Sequence, residues 1–233
     1  MCRFDETSHA FLSACFYRLL KEGEYHDAAA VFRFAVRLYA QERGLRMAQR
    51  ALRDGRALDF ASYLHYCEWG FTPSAADAYA GCTTNWEEQG DLCSRIDACP
   101  WSDCYLALGL TDGVRDYCAD LDTSIARGFN PALSYRMDQQ LEEGRVCCLH
   151  RRGGAAALPS LGDPDPKDQL DFSYHCAHLY HAFSGVMRSV YGAQQGEALC
   201  RGVLELFAER YGKEAVDTLL EMQDQEFSFL PAD

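Results

Sequence analysis

Residues 133–150 read LSYRMDQQLEEGRVCCLH. Leu133, Tyr135, Met137, Gln139 and Leu141 fall on one face and polar residues fall between them, the two-residue period of a half-buried strand. Glu142-Glu143-Gly144 then turns the chain into Val146-Cys147-Cys148-Leu149-His150, a second apolar run of strand length. Two such runs joined by a glycine-containing turn predict a β-hairpin. Just upstream, Phe129-Asn130-Pro131 supplies the turn that leads into it. Half of the chain's twelve cysteines lie between Cys93 and Cys148. Chemistry is therefore sought first in the stretch 95–150.

Working outward, Asp77 to Trp86 and Asp91 to Ile96 alternate more loosely around Glu87-Glu88-Gln89-Gly90, which predicts a second hairpin near 77–97. Helical periodicity surrounds the two. Thr7 or Ser8 can cap a helix to about Gly23. A longer one runs from about 25 to 53, with Val31, Phe34, Ala35, Leu38 and Tyr39 on its apolar face, and a third from 57 to 70. Thr72-Pro73 reads as a break after it. Helices near 102–108 and 111–127 sit between the hairpins. Residues 151–169, rich in Gly, Pro and Ala, read as a loop. Three more helices follow, near 170–191, 196–211 and 214–222, with Gly192 and Gly212 as stops. The expected fold is α+β: a four-stranded antiparallel sheet of two hairpins, with N-terminal and C-terminal helices packed on it. The expected organisation is a single domain over 1–233, with helices to 70, sheet and inserted helices over 71–151, loop over 152–169 and helices from 170.

Composition narrows the functions. A net charge of −13, with no basic patch, argues against nucleic acid. No apolar run approaches the roughly 20 residues that span a bilayer, and the start MCRFDETSHAF has no apolar signal core, so a cytoplasmic protein without membrane contact is expected. Twelve cysteines in such a chain do not suggest a disulfide framework. Cys99 and Cys104 come close to a zinc knuckle, but no second knuckle answers them. Cys15, Cys67, Cys176 and Cys200 lie in helical patterns and read as small buried hydrophobes.

Three blocks carry a family resemblance: YAQERGLRMAQRALRDGRALDFASYLHYCEW over 39–69; CPW, YCADLD, GFNP and the hairpin ending in Cys147-Cys148; and DFSYHCAHLYHAF with the Tyr211-Gly212 and Gln225-Glu226-Phe227 region. On these the chain resembles the bacterial L-2-amino-thiazoline-4-carboxylic acid hydrolase family. The resemblance implies hydrolysis of a small cyclic C–N or C–S substrate bearing a carboxylate. Where that family's pattern carries one cysteine after the hairpin turn, this chain has two, so the thiol there is ambiguous.

Such chemistry needs a thiolate or activated water as nucleophile, a carboxylate to hold the amidinium, an arginine for the substrate carboxylate and an acid for the leaving group. Cys118 is the first candidate nucleophile, although helical spacing also places it in a core row with Val114, Leu121 and Ile125. Cys99, at a strand-to-helix junction, is the second. Asp122, one turn after Cys118, fits the amidinium. His175 and His178, at the edge of a helix face defined by Phe172, Leu179, Phe183, Val186 and Val190, could supply the imidazole from across a pocket; His181 points to solvent. The wheel of the long helix places Glu42 and Arg46 on or beside its buried stripe, as a substrate-binding pair, with Arg43 and Arg50 further round toward solvent. No cofactor is implied outright; a divalent metal held by His175, His178, Cys99 and Cys118 is the alternative. A non-catalytic small-molecule or metal sensor built on the same Cys/His set is the competing function. A homo-oligomer stays open.

Overall fold

The first helix is capped one turn earlier than its sequence suggests. In the computed structural model, which describes residues 4–142 and 145–231, the Asp5 carboxylate accepts from the Ser8 backbone N–H at 2.8 Å. The Ser8 hydroxyl accepts from the Asp5 N–H in return. This reciprocal box starts α1 (Glu6–Glu22), and Ser8 is its third residue rather than its cap. The chain continues through α2 (Ala28–Arg53), α3 (Phe60–His65), α4 (Pro73–Ala78), β1 (Thr83–Glu88), β2 (Asp91–Ile96), α5 (Pro100–Ala107), α6 (Thr111–Phe129), β3 (Tyr135–Glu142), β4 (Arg145–Arg152), two short 3-10 turns, α7 (Phe172–Tyr211) and α8 (Lys213–Glu221). The fold is α+β, with a four-stranded antiparallel sheet and helices before and after it in the chain.

Several boundaries differ from expectation. The third helix is only six residues long, started by the Asp59 cap. Thr72-Pro73 begins α4 instead of breaking structure, because Thr72 caps it and proline is tolerated in the first turn. The first hairpin accordingly starts at Thr83, not near 77. Its turn is the two residues Gln89 (φ 53°) and Gly90 (φ 86°), both left-handed, as a tight hairpin turn requires. Glu143 and Gly144 of the second hairpin's turn, and Cys2, lie outside the described residues. The last two long helices form one element, α7, interrupted at Gly192 (φ 76°, ψ 177°).

The chain gathers into two compact units. Met1–Tyr39, Pro100–Tyr117 and Asp171–Gln225 make the first; Ala40–Cys99, Cys118–Leu170 and Glu226–Asp233 make the second. The first unit is helical. α1 is buried nearly all round, as a central helix should be. Its Phe16 ring lies 6.0 Å from Tyr180 and 5.2 Å from Phe183 of α7, and Phe32 closes on Phe183 at 5.6 Å. His9 of α1 accepts at Nδ1 from the Trp101 indole N–H (3.0 Å) and meets the Tyr39 hydroxyl at Nε2 (2.9 Å).

The second unit holds the sheet, in the order β1-β2-β4-β3. Register sorts its side chains. Tyr135 pairs with Arg152, Met137 with His150, Gln139 with Cys148, and Ser94 also with His150, so these share one face. Arg136, Arg151, Asp91 and Glu88 share the other, where Arg151 is paired with Asp91 and Glu88. Within this unit the end of α2 and the end of α6 nearly touch backbones. A Cβ on Gly44 would lie 2.1 Å from the Ile125 carbonyl oxygen, and one on Gly128 would lie 2.2 Å from that of Gln41, so both positions need glycine.

Candidate functional site

The first sheet face carries an unusual set of groups. Cys148 and His150 are alternate residues of β4 and therefore neighbours on that face. Cys118, from α6, hydrogen-bonds to Cys148. All three are buried. Tyr135, opposite on β3, shares a 2.9 Å hydrogen bond with His150 Nδ1. Nε2 of the same ring is buried and makes no hydrogen bond of ordinary geometry. If Nδ1–H donates to the phenol oxygen, Nε2 holds the lone pair and becomes a base beside Cys148.

Thiol acidity separates Cys148 from the rest. Burial pushes the Cys15 and Cys200 thiols up, to about 12 and about 11, as expected of core cysteines. Cys148 moves the other way, to about 6. The hydrogen bond from Cys118 is the largest cause; burial opposes it, and His150 adds to it by hydrogen bonding and charge. Cys118 is held well above the usual thiol range, first by that same bond, then by burial and by the negative charges of Cys148, Cys99 and Asp122. Two coupled thiols share one ionisation. It falls on Cys148 because His150 lies beside it; Asp122 opposes charge on both thiols, and Cys99 opposes it on Cys118. Cys118, the first sequence candidate, is thus the member of the pair that keeps its proton, and Cys148 the one whose thiol is lowered.

Asp122 and Arg152 flank this cluster. Burial is the main reason that Tyr63 and Tyr135 keep their protons far above the ordinary phenol range; the Asp122 charge adds to it and the Arg152 charge opposes it. Arg152 donates to Ser94 Oγ (2.9 Å), which donates to Asn85 Oδ1 (2.7 Å). Asp122, Tyr135 and Arg152 are half-buried. Of the sequence candidates, the structure brings together Cys118, Asp122 and Cys99. It adds Cys148, which the sequence had left ambiguous, and His150, Tyr135 and Arg152, which sequence reasoning passed over. The signal was present: positions 148, 150 and 152 alternate on one strand.

The other candidates have different surroundings. Arg46 is fully buried and grips Glu68 with two hydrogen bonds of 2.7 Å, while its third nitrogen donates to the Phe227 carbonyl. Its carboxylate partner in these bonds is Glu68, and its charge also acts on Glu42. Arg43 and Arg50 do not face solvent, being 1% and 3% exposed. Arg50 contacts Glu68 at 2.9 Å and Asp168 at 3.6 Å; Arg43 lies 3.7 Å from Glu68, its guanidinium 3.7 Å over the Trp69 ring. One buried carboxylate draws three arginines of α2 inward, which a helical wheel cannot foresee. Glu42 is half-buried, and burial pushes its carboxyl up to about 7 against the pull of Arg46.

His175 and His178 are fully buried in the first unit, where His178 packs on Tyr39 at 4.5 Å, whereas Cys118 and Asp122 belong to the second. His181 is half-buried; it meets the Leu219 carbonyl at 3.0 Å, and burial lowers its pKa. Among the described residues no group of three or more His, Cys, Asp or Glu is arranged to hold a metal ion, and no helix is long and apolar enough to cross a membrane.

Compared with known proteins, residues 5–151 match the family described as L-2-amino-thiazoline-4-carboxylic acid hydrolase. The match covers well over half of the chain, including the first two sequence blocks and all four strands up to Arg151. It stops before the third block, on α7. No curated protein and no solved structure matches the chain.

Proposed function

We propose that this chain, which belongs to the L-2-amino-thiazoline-4-carboxylic acid hydrolase family, opens a small cyclic amidine of the aminothiazoline carboxylate type, with Cys148 as nucleophile. One arrangement carries the reading: Cys148 and His150 are alternate, buried residues of one strand face with Cys118 against them, and these neighbours pull the Cys148 thiol below its usual range. A thiolate at neutral pH is the reactive form, and burial alone would have produced the opposite shift.

The reaction follows from the groups present. In the free site the Cys148 proton has already passed to His150 Nε2. The thiolate adds to the amidinium carbon, forming a C–S bond while the C=N electron pair moves onto nitrogen. Asp122 holds the positive amidinium. Collapse of the adduct breaks the bond to ring sulfur, the better leaving group, which takes the proton from His150. A water then loses one proton to Nε2 and attacks the same carbon; the adduct expels the Cys148 thiolate, its remaining hydroxyl proton leaves to solvent as the C=O forms, and the product is a ureido acid with a new free thiol. The Cys118 S–H supports the Cys148 thiolate each time it is released.

A thiol-detecting assay on 2-aminothiazoline-4-carboxylate tests this. Cys148→Ser should lower kcat by at least about 1,000-fold while melting as the parent does. A Cys148→Ser protein that turns over at the parental rate would remove the nucleophile assignment. Elemental analysis of the purified, active protein checks whether a bound metal contributes.

A further inference from the structure

We infer that Arg152 is the residue that reads the anionic group of the substrate, and so sets specificity for acids over uncharged rings. The inference deepens the reading of the Cys148 site and rests on it.

Arg152 and Asp122 carry opposite charges and act on the same two phenols, Tyr63 and Tyr135. Nevertheless they form no ion pair with each other, and among the described residues neither forms one with any third group. That is uncommon for a half-buried arginine, because removing a guanidinium from water without a counter-charge is costly. The arginines of α2 show the usual solution, converging on Glu68. Arg152 is instead held by neutral groups. Ser94 Oγ accepts from it at 2.9 Å, and Tyr135, whose ring lies 5.6 Å from its guanidinium carbon, takes a further hydrogen bond from it. Its Nε is buried with no hydrogen-bond partner. His150, two residues earlier on the same face, is buried between Tyr135 and Cys148.

An arginine nitrogen without a partner beside Tyr135, and a carboxylate without an ion pair beside Cys148, describe a ligand by its complement. It carries a cation for Asp122, an electrophilic carbon for Cys148, a basic atom for His150 and an anion for Arg152. A cyclic amidine with a ring carboxylate has these groups in one small molecule. Arg46, the sequence candidate for the anion, has its donors taken by Glu68 and Phe227.

The test compares 2-aminothiazoline-4-carboxylate with 2-aminothiazoline, which lacks the carboxylate, on the full chain. Arg152→Gln should raise KM for the acid by roughly 10- to 100-fold, with a much smaller change in kcat, the loss expected of one charge-assisted contact. The uncharged ring should be handled as by the parent protein. Arg152→Lys should restore part of the loss, and Ser94→Ala, which frees the guanidinium without removing it, should give an intermediate one. Equal losses for both compounds would make Arg152 a support of Tyr135 and His150 and overturn the inference. No loss for either would do the same. Calorimetric binding in a Cys148→Ser background separates the two readings. Arg152-dependent binding of the acid by a protein whose parent never opens it keeps Arg152 and removes the hydrolase reading. Absence of binding of the acid removes Arg152.

Discussion

Cys148 and Glu42 show how one residue's surroundings reverse its ordinary acidity. For Cys148 the measurable consequence is a pH profile. Its alkylation by iodoacetamide, followed by peptide mass, should rise roughly tenfold per pH unit below the midpoint near 6 and level off above it. Cys118→Ala removes the S–H donor that is the largest cause of the shift, so the midpoint should move up toward 9.0, the ordinary thiol value, with only His150 still favouring the thiolate. A parental midpoint already near 9.0 would sink the assignment. Glu42 is the converse case. Its carboxyl is pushed from 4.5 up to about 7, by burial first and by Glu226 as well, against Arg46. A raised pKa means that the folded chain keeps a proton the unfolded chain gives up. The stability tied to that proton is complete below about 4.5 and is lost as pH rises through about 7. Glu42→Gln cannot titrate, so its melting temperature relative to the parent should climb between pH 4.5 and 7 and then stay level. A difference that is flat across that range would show that Glu42 is well solvated.

At the level of elements, the second half of α2 works as a plate of arginines over one carboxylate. Arg43, Arg46 and Arg50 reach Glu68, which follows α3 in the chain, and Arg50 also reaches Asp168. Arg46 and Gln49 additionally tie down the C-terminal segment through Phe227, Ser228 and Leu230. Removing one member of a buried charge network leaves the others uncompensated, at a cost of about 3–5 kcal/mol. Arg50→Ala, which the helical wheel marks as harmless, should therefore lower the unfolding free energy by about 3 kcal/mol in urea titrations. An effect within about 0.5 kcal/mol, the range of ordinary surface substitutions, would show that Arg50 contributes nothing to the network. The sheet is the second such element. Its register delivers Cys148, His150 and Arg152 to the face that Tyr135 shares, and a one-residue slip would send all of them to the opposite face.

Over the whole molecule, the two compact units interleave along the chain. α1 opens the first unit, and its partners Tyr180 and Phe183 arrive only with α7, long after the sheet is complete. A chain truncated after Arg152 retains every strand and every residue of the Cys148 cluster, yet strips the cover from Leu12, Phe16 and Leu20. Such a fragment should lack a cooperative melting transition by circular dichroism and bind a hydrophobic dye; a sharp transition at the parental temperature would show that the second unit is self-sufficient. The sequence by itself determined the α+β class, both hairpins and most helices, because hydrophobic periodicity and turn residues are local properties, legible within a few residues. It also pointed to Cys118, Cys99 and Asp122, since the helix row and the strand-to-helix junction are local too. It did not show which thiol ionises, because that depends on Cys118 meeting Cys148 across some thirty residues of chain. Nor did it show that Arg46 serves Glu68 while Arg152, among the described residues, forms no ion pair. Burial and charge pairing are decided by groups distant in sequence, and only the tertiary structure brings those groups within reach of one another.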